Sequence, residues 1–272
     1  MLQKKKKRNW TLHLMMMPSV AALIVFSYIP MAGIIIAFQK FNPGFGLFGA
    51  SPWVGLDNFR YIFSLPSIWQ VVGNTLILSV AKIIIGTILA IATALLLNEC
   101  RHRLLKKSVQ TIIYFPYFIS WIIMAGILAD MLSPTKGVIN QLITSIGGTP
   151  VYFLGDNRYF RGTLIISDIW KNFGYNSVVY LAAITGIDMS LYEAAAIDGA
   201  GRWKQTLHVT LPGMSVIIIL MVILNMGNLL NAGFDQVFNL YSPGVYESGD
   251  IIDTMVFRLG IQQGQLSPST AV

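Results

Sequence analysis

Five stretches of this chain are apolar for about the twenty residues that cross a bilayer core roughly 30 Å thick. They fall at about residues 15–38, 74–97, 109–132, 163–187 and 212–232. Backbone polar groups cannot stay unpaired in hydrocarbon, so such segments are limited to helices packed in the membrane. The pattern therefore predicts an all-α, polytopic helical membrane protein with five spans in residues 1–272. Hydrophobic residues make up 54% and charged residues 11%, against about 25% charge in a soluble domain. A basic cluster ahead of an apolar stretch also describes a signal peptide. The run at 15–38 is longer than the roughly 7–15 residues of that core and lacks a small-x-small exit. It is read as a retained span.

The net charge of +7 suggests nucleic acid only until its placement is considered. The cations flank apolar runs, the pattern of topology-setting loops. With the N-terminus cytoplasmic, Lys4 to Arg8, Arg101, Arg103, Lys106, Lys107, Arg202 and Lys204 lie inside, eleven in all. Lys40, Arg60, Lys136, Arg158, Arg161 and Arg258 lie outside, six in all. This bias favours that orientation in a cell membrane and excludes a nucleic-acid face. Cys100 is the single cysteine, and His13, His102 and His208 match no metal-binding spacing. Gly44-x-Gly46-x-x-Gly49 fits a dinucleotide pattern but lacks the βαβ setting that pattern needs. No P-loop motif occurs, so neither cofactor nor metal is expected.

One polar loop stands apart. Residues 188–211 lie on the cytoplasmic side of the charge pattern, between the fourth and fifth spans. Ser190-Leu191-Tyr192-Glu193 has the form of a capping box, in which Ser190 and Glu193 each accept from the other's backbone N–H. Ala194, Ala195 and Ala196 favour helix and offer no bulk to an approaching surface. Gly199 and Gly201 allow the left-handed turn that ends such a helix. Pro212 suits the first turn of the fifth span.

This loop resembles the EAA loop of binding-protein-dependent ABC-transporter permeases: Glu-Ala-Ala, three residues, Gly, nine residues, Ile, one residue, Leu-Pro. Glu193, Ala194, Ala195, Gly199, Leu211 and Pro212 fall on that spacing, with Val209 in place of Ile. Asp198-Gly199-Ala200, and Trp53 to Phe59 in the early loop, resemble the sugar-transporting branch, nearest to permeases for oligosaccharides or polysaccharide fragments. The resemblance covers nearly the whole chain. It implies a permease without ATPase chemistry of its own, in which Ser190 to Arg202 and Leu211-Pro212 form a coupling helix. That helix would dock on a separate ABC ATPase dimer, Glu193 capping and pairing while Gly199 turns. A second, homologous permease subunit and an extracytoplasmic solute-binding protein are the other implied partners, beside membrane lipid and a carbohydrate substrate. The family core has six spans, so the resemblance also implies a sixth beyond the five found here.

Several spans carry polar residues. Lys82 is near the middle of the second, where Lys costs about 2.5–3.5 kcal/mol and each Leu, Ile or Val returns roughly 0.3–0.6. The span survives with Lys82 facing protein or cavity, in a structural pairing. Asp168 and Lys171, three apart, either pair with each other or reach partners on other helices. Asn225, Asn228 and Asn231 could donate to and accept from sugar hydroxyls or join helices. Trp170 and Tyr175 could stack on a sugar ring or anchor the membrane interface. Gly86, Ala90 and Ala94 offer a small-residue face for helix packing. An ion-gradient-driven secondary transporter is the alternative function, but it leaves the loop at Glu193 unexplained. An intramembrane enzyme lacks the catalytic spacings.

Overall fold

A computed structural model describes residues 10–46, 49 and 51–272; the basic run Lys4 to Arg8 lies outside the described residues. No β-strand occurs among them, only an isolated antiparallel bridge between Gln39 and Trp53. Two helices are continuous, long and apolar enough to cross a membrane: α1 (His13–Phe38) and, further along, Ile68–Glu99. Three bent helix pairs raise the number to as many as five if each pair counts as one span. The expected fourth span lies in the unbroken helix Asn157–Thr185, whereas bends fall within the third and fifth.

The chain forms two compact units, residues 1–66 with 256–272, and residues 67–255. In the first, α1 is almost entirely exposed along its apolar length, the surface a bilayer would cover. The Trp53 to Phe59 segment closes its end. α2 (Asp57–Ser64) places the Asn58 carboxamide to donate to the carbonyls of Ala37 at 2.8 Å and Gln39 at 3.0 Å. These are carbonyls that a helix end leaves without intrahelical partners. Phe59 packs against Phe38 with ring centroids 5.2 Å apart, and Ser267 accepts the Phe41 N–H at 2.9 Å.

The second unit is built on α3 (Ile68–Glu99). After it come α4 (Arg103–Tyr114), α5 (Trp121–Met131), α6 (Val138–Ser145) and α7 (Asn157–Thr185). α3 packs along α7. Ala90 and Ala94 of α3 are fully buried against Tyr180 and Ile184 of α7 and against Met214, as a small-residue face predicts. Gly86 departs from that expectation: a Cβ there meets nothing within 4 Å, because it borders a cavity. Nearer the other end of α3, Leu78, Phe160, Leu164, Met124 and Val237 form the main core.

The third span is not the continuous helix expected at 109–132. Pro116 falls within it and lacks an N–H, so the helical hydrogen-bond ladder cannot continue through it, although Phe115 before it keeps helical φ −54° and ψ −45°. The chain passes through a 3-10 turn, Phe115–Phe118, and restarts at α5 in a direction 104° away. The Ser120 hydroxyl caps the restart by accepting from the Ile123 N–H at 3.4 Å.

Beyond α7 the chain bends by 71° into α8 (Met189–Ile197) and continues through α9 (Arg202–Gly213). A further 57° bend leads into α10 (Ser215–Met226). Pro212 therefore closes α9 instead of opening the fifth span. A π turn at Thr206–Thr210 carries the Leu211 N–H back five residues to the Thr206 carbonyl. Such a turn makes room for a proline ring inside a helical run. α10 ends at Met226, short of the expected residue 232. Gly233, in the left-handed region at φ 94°, starts α11 (Phe234–Leu240).

Candidate coupling loop and transmembrane cavity

The loop at 188–212 is a helix–turn–helix held at defined points. Asp188, not Ser190, caps α8: its carboxylate accepts the Ser190 N–H at 2.9 Å. That bond holds the Asp188 carboxyl below the usual carboxylate range. The expected capping box is thus displaced by two residues. Asp is as good a cap as Ser, and Asp188 occupies the site first as the chain leaves the α7 bend. Ser190 lies inside the first turn. Glu193 is exposed, one turn further on, without a bonded partner among the described residues.

The other end of α8 closes as the glycine spacing predicts. Gly199 has φ 76°, the Gly199 N–H bonds the Ala196 carbonyl at 3.0 Å, and the Ala200 N–H reaches Ala195 at 2.9 Å. This pair of bonds is a Schellman closure. Gly201 does not share the left-handed geometry; it starts α9 with φ −67°. Asp198 is the residue at the turn itself. Tyr192 Oη lies 3.0 Å from Thr210 Oγ1, tying α8 to α9, and Arg202 pairs with Glu99 at the end of α3 at 2.8 Å. Leu211 packs on the Ala90–Ala94–Tyr180 cluster. Ala194, Met189, Leu191, Ile197 and Trp203 are exposed.

Between α3, α7 and α10 lie two small adjoining cavities, about 160 and 150 Å³. Asp168, Asn172, Asn176 and Tyr180 recur every fourth residue along one face of α7, opposite Lys82, Gly86 and Ala90 on α3. Asn225 borders both cavities; Asn228 and Asn231 border the second. Trp170 and Tyr175 border neither. Tyr175 instead stacks on Tyr117 at 3.8 Å with planes 6° apart, and Trp170 is 40% exposed.

The two lysines within the spans, buried Lys171 and half-buried Lys82, have different partners. Lys82 Nζ donates to the Ala232 carbonyl at 2.7 Å and to Gln236 Oε1 at 2.5 Å, and stands 3.7 Å from Asp168 Oδ1. Lys171 donates to the carbonyls of Pro116 at 3.1 Å, Tyr117 at 2.8 Å and Ile119. Asp168 and Lys171 therefore do not pair with each other; each reaches another helix, the second of the two arrangements their spacing allowed.

A family model described as the binding-protein-dependent transport system inner membrane component matches residues 82–234, over half the chain. The chain belongs to this family. The polygalacturonan/rhamnogalacturonan transport system permease protein YteP of Bacillus subtilis (strain 168) is 43% identical over 261 residues. That match covers 96% of this chain and 81% of YteP. Protein LplB of the same organism is 40% identical over 266 residues, covering 98% of this chain and 83% of LplB. Among solved structures, a bacterial ABC transporter involved in the import of the acidic polysaccharide alginate has a chain that superposes with a TM-score of 0.88. It is 38% identical, and the match covers 97% of this chain and 88% of that one.

This permease is accordingly a helical membrane component of an ABC importer, and the ion-gradient alternative finds no support. Two features of its site went unread in the sequence. The four-residue spacing of Asp168, Asn172, Asn176 and Tyr180 is present in the sequence, but of these only Asp168 is singled out there, as an ion-pair partner. Gln236, fully buried, lay in a stretch whose mixed composition gave no helix register.

Proposed function

We propose that this permease conducts an oligosaccharide across the cell membrane and that α8 is the helix through which a separate ABC ATPase dimer drives it. Residues 1–272 serve as one transmembrane permease domain, with the N-terminus and the loop at 188–212 cytoplasmic. A homologous second permease completes the path. An extracytoplasmic solute-binding protein delivers the substrate; the alginate importer has been solved with a pentasaccharide-bound periplasmic protein. The chain itself carries no ATPase chemistry.

One observation supports this most: a short Glu-Ala-Ala helix, closed by left-handed Gly199, surrounded by exposed Met189, Leu191, Ile197 and Trp203. A connector between spans needs neither the fixed turn nor the apolar rim. Motion of an ATPase would reach the spans through the Tyr192–Thr210 and Arg202–Glu99 contacts and through Leu211. Asn225, Asn228 and Asn231 are the candidate contacts for sugar hydroxyls, each able to donate and accept.

The experiment is to express the chain with its partner subunits, replace Gly199 by Val, and follow ATPase co-purification and ATP-driven sugar uptake. Loss of both, with the permease still in the membrane, is the expected outcome. Uptake that persists without any ATPase would refute the reading.

A further inference from the structure

Lys82 is held in a way that structural pairing explains only in part. An ammonium has three donors. Two of Lys82's go to neutral oxygens, the Ala232 carbonyl at 2.7 Å and Gln236 Oε1 at 2.5 Å. Those bonds fix the segment between α10 and α11, but they do not neutralise the charge. The only carboxylate within ion-pair range among the described residues is Asp168, at 3.7 Å, beyond the 2.7–3.2 Å or so of a hydrogen bond. A pair kept purely for packing in a low-dielectric span gains by closing to contact. This one stays open, with both side chains partly exposed, 10% and 21%.

Its position adds the second argument. Lys82, Asp168 and Asn225 border both cavities, so a ligand group moving from one to the other passes the pair. Gly86 widens the first cavity beside it, with space where a side chain would be. Asn172 and Asn176, one and two turns along α7 from Asp168, supply amides for hydroxyls. The site thus combines neutral hydrogen-bonding groups with one ammonium whose third donor is underused. We propose that Lys82 is a specificity-determining residue that reads a carboxylate on the substrate, making the preferred cargo an oligosaccharide of uronic-acid units.

A carboxylate entering the cavity competes with Asp168 for the third donor and, approaching closer than 3.7 Å, takes it in a charge-assisted hydrogen bond. Asp168 remains as a like charge beside it and keeps the binding weak. A translocation site needs that balance, favourable enough to admit the group and weak enough to release it. The inference rests on the carbohydrate-permease reading above.

The test compares ATP-driven uptake of an oligogalacturonide with its fully methyl-esterified form of equal length, in proteoliposomes holding the complete importer. Lys82→Gln is expected to lower uptake of the acidic form about tenfold relative to the ester, the lower end of what a hydrogen bond to a charged group contributes. Asp168→Asn is expected to lower the half-saturating concentration for the acidic form and leave the ester unchanged. Equal losses for both forms in Lys82→Gln would overturn the proposal, as would an Asp168→Asn shift shared by both. Should Lys82→Gln fail to assemble, or the wild type import only the acidic form, the Asp168→Asn half-saturation decides. Wild-type uptake confined to neutral oligosaccharides would also overturn it while leaving the permease reading intact. No ATP-driven uptake of any carbohydrate would sink that reading instead.

Discussion

Lys171 donates to the carbonyl of Tyr117 at 2.8 Å, at the point where the third span turns through 104°. The same ammonium reaches the carbonyls of Pro116 and Ile119. A proline break inside a span leaves acceptors short of N–H partners, although the Pro116 carbonyl also accepts the Ile119 N–H at 3.2 Å. One lysine on the neighbouring helix supplies all three, with the Tyr117 and Trp121 rings 5.7 and 5.5 Å from it.

Lys171→Met should therefore destabilise the permease by about 3 kcal/mol, the upper range for hydrogen bonds to a charged group. Denaturant titration in mild detergent measures it. A change under about 0.5 kcal/mol, typical of uninvolved surface sites, would show that the carbonyls find other partners.

Two glycines should respond oppositely to alanine. On α7, a Cβ at Gly174 would collide with the Ile113 carbonyl of α4, which is backbone and cannot swing aside. Gly174→Ala should cost about 1–3 kcal/mol, as overpacking does. Gly86→Ala meets open space and should gain up to about 1 kcal/mol in helix propensity. It also places a methyl in the cavity, so uptake should fall although the protein melts higher. Equal melting temperatures for the two variants would contradict this packing.

How much of this was legible follows from which interactions are local. The spans rest on hydropathy and the Gly199 turn on near-neighbour bonds, and the sequence carries those. The capping residue slipped from Ser190 to Asp188 because both are good caps two residues apart; only the bend after α7 selects between them. Pro116 was visible, yet its consequence depends on Lys171, 55 residues later. Trp170 and Tyr175 sit on the span that lines the cavity but at other angles, a distinction set by how α7 rolls against α3. The pairing of Lys82 with Asp168 joins two helices and has no signature in either alone.

The displaced cap gives a reversal that can be measured. Asp188→Ala should fray the start of α8 and speed hydrogen exchange at the Ser190 N–H, whereas Ser190→Ala should change little. The Asp188 carboxyl is depressed by that same bond. A depressed acid favours the folded helix above its unfolded pKa, about 3.9 for Asp, and the benefit is lost as pH falls through the lower folded value. Protection at the Ser190 N–H, corrected for intrinsic exchange, should hold at neutral pH and fall in acid. Protection unaffected by Asp188→Ala would return the cap to Ser190.

Asp253 should show the opposite sign. It lies in the short helix Ile252–Phe257, with Oδ2 buried and without a partner among the described residues. Burial alone raises its carboxyl above the usual range, because desolvation disfavours the charged form. The folded protein therefore holds this proton more tightly than the unfolded chain. The group favours folding most below the unfolded pKa, and that contribution disappears as pH rises through the higher folded value. At neutral pH an ionised Asp253 works against the fold. Asp253→Asn should then raise the melting temperature at pH 7 and leave it nearly unchanged at the acid end of the range the protein tolerates. A variant less stable than wild type at pH 7 would mean that the carboxylate is ionised and bonded in the folded state.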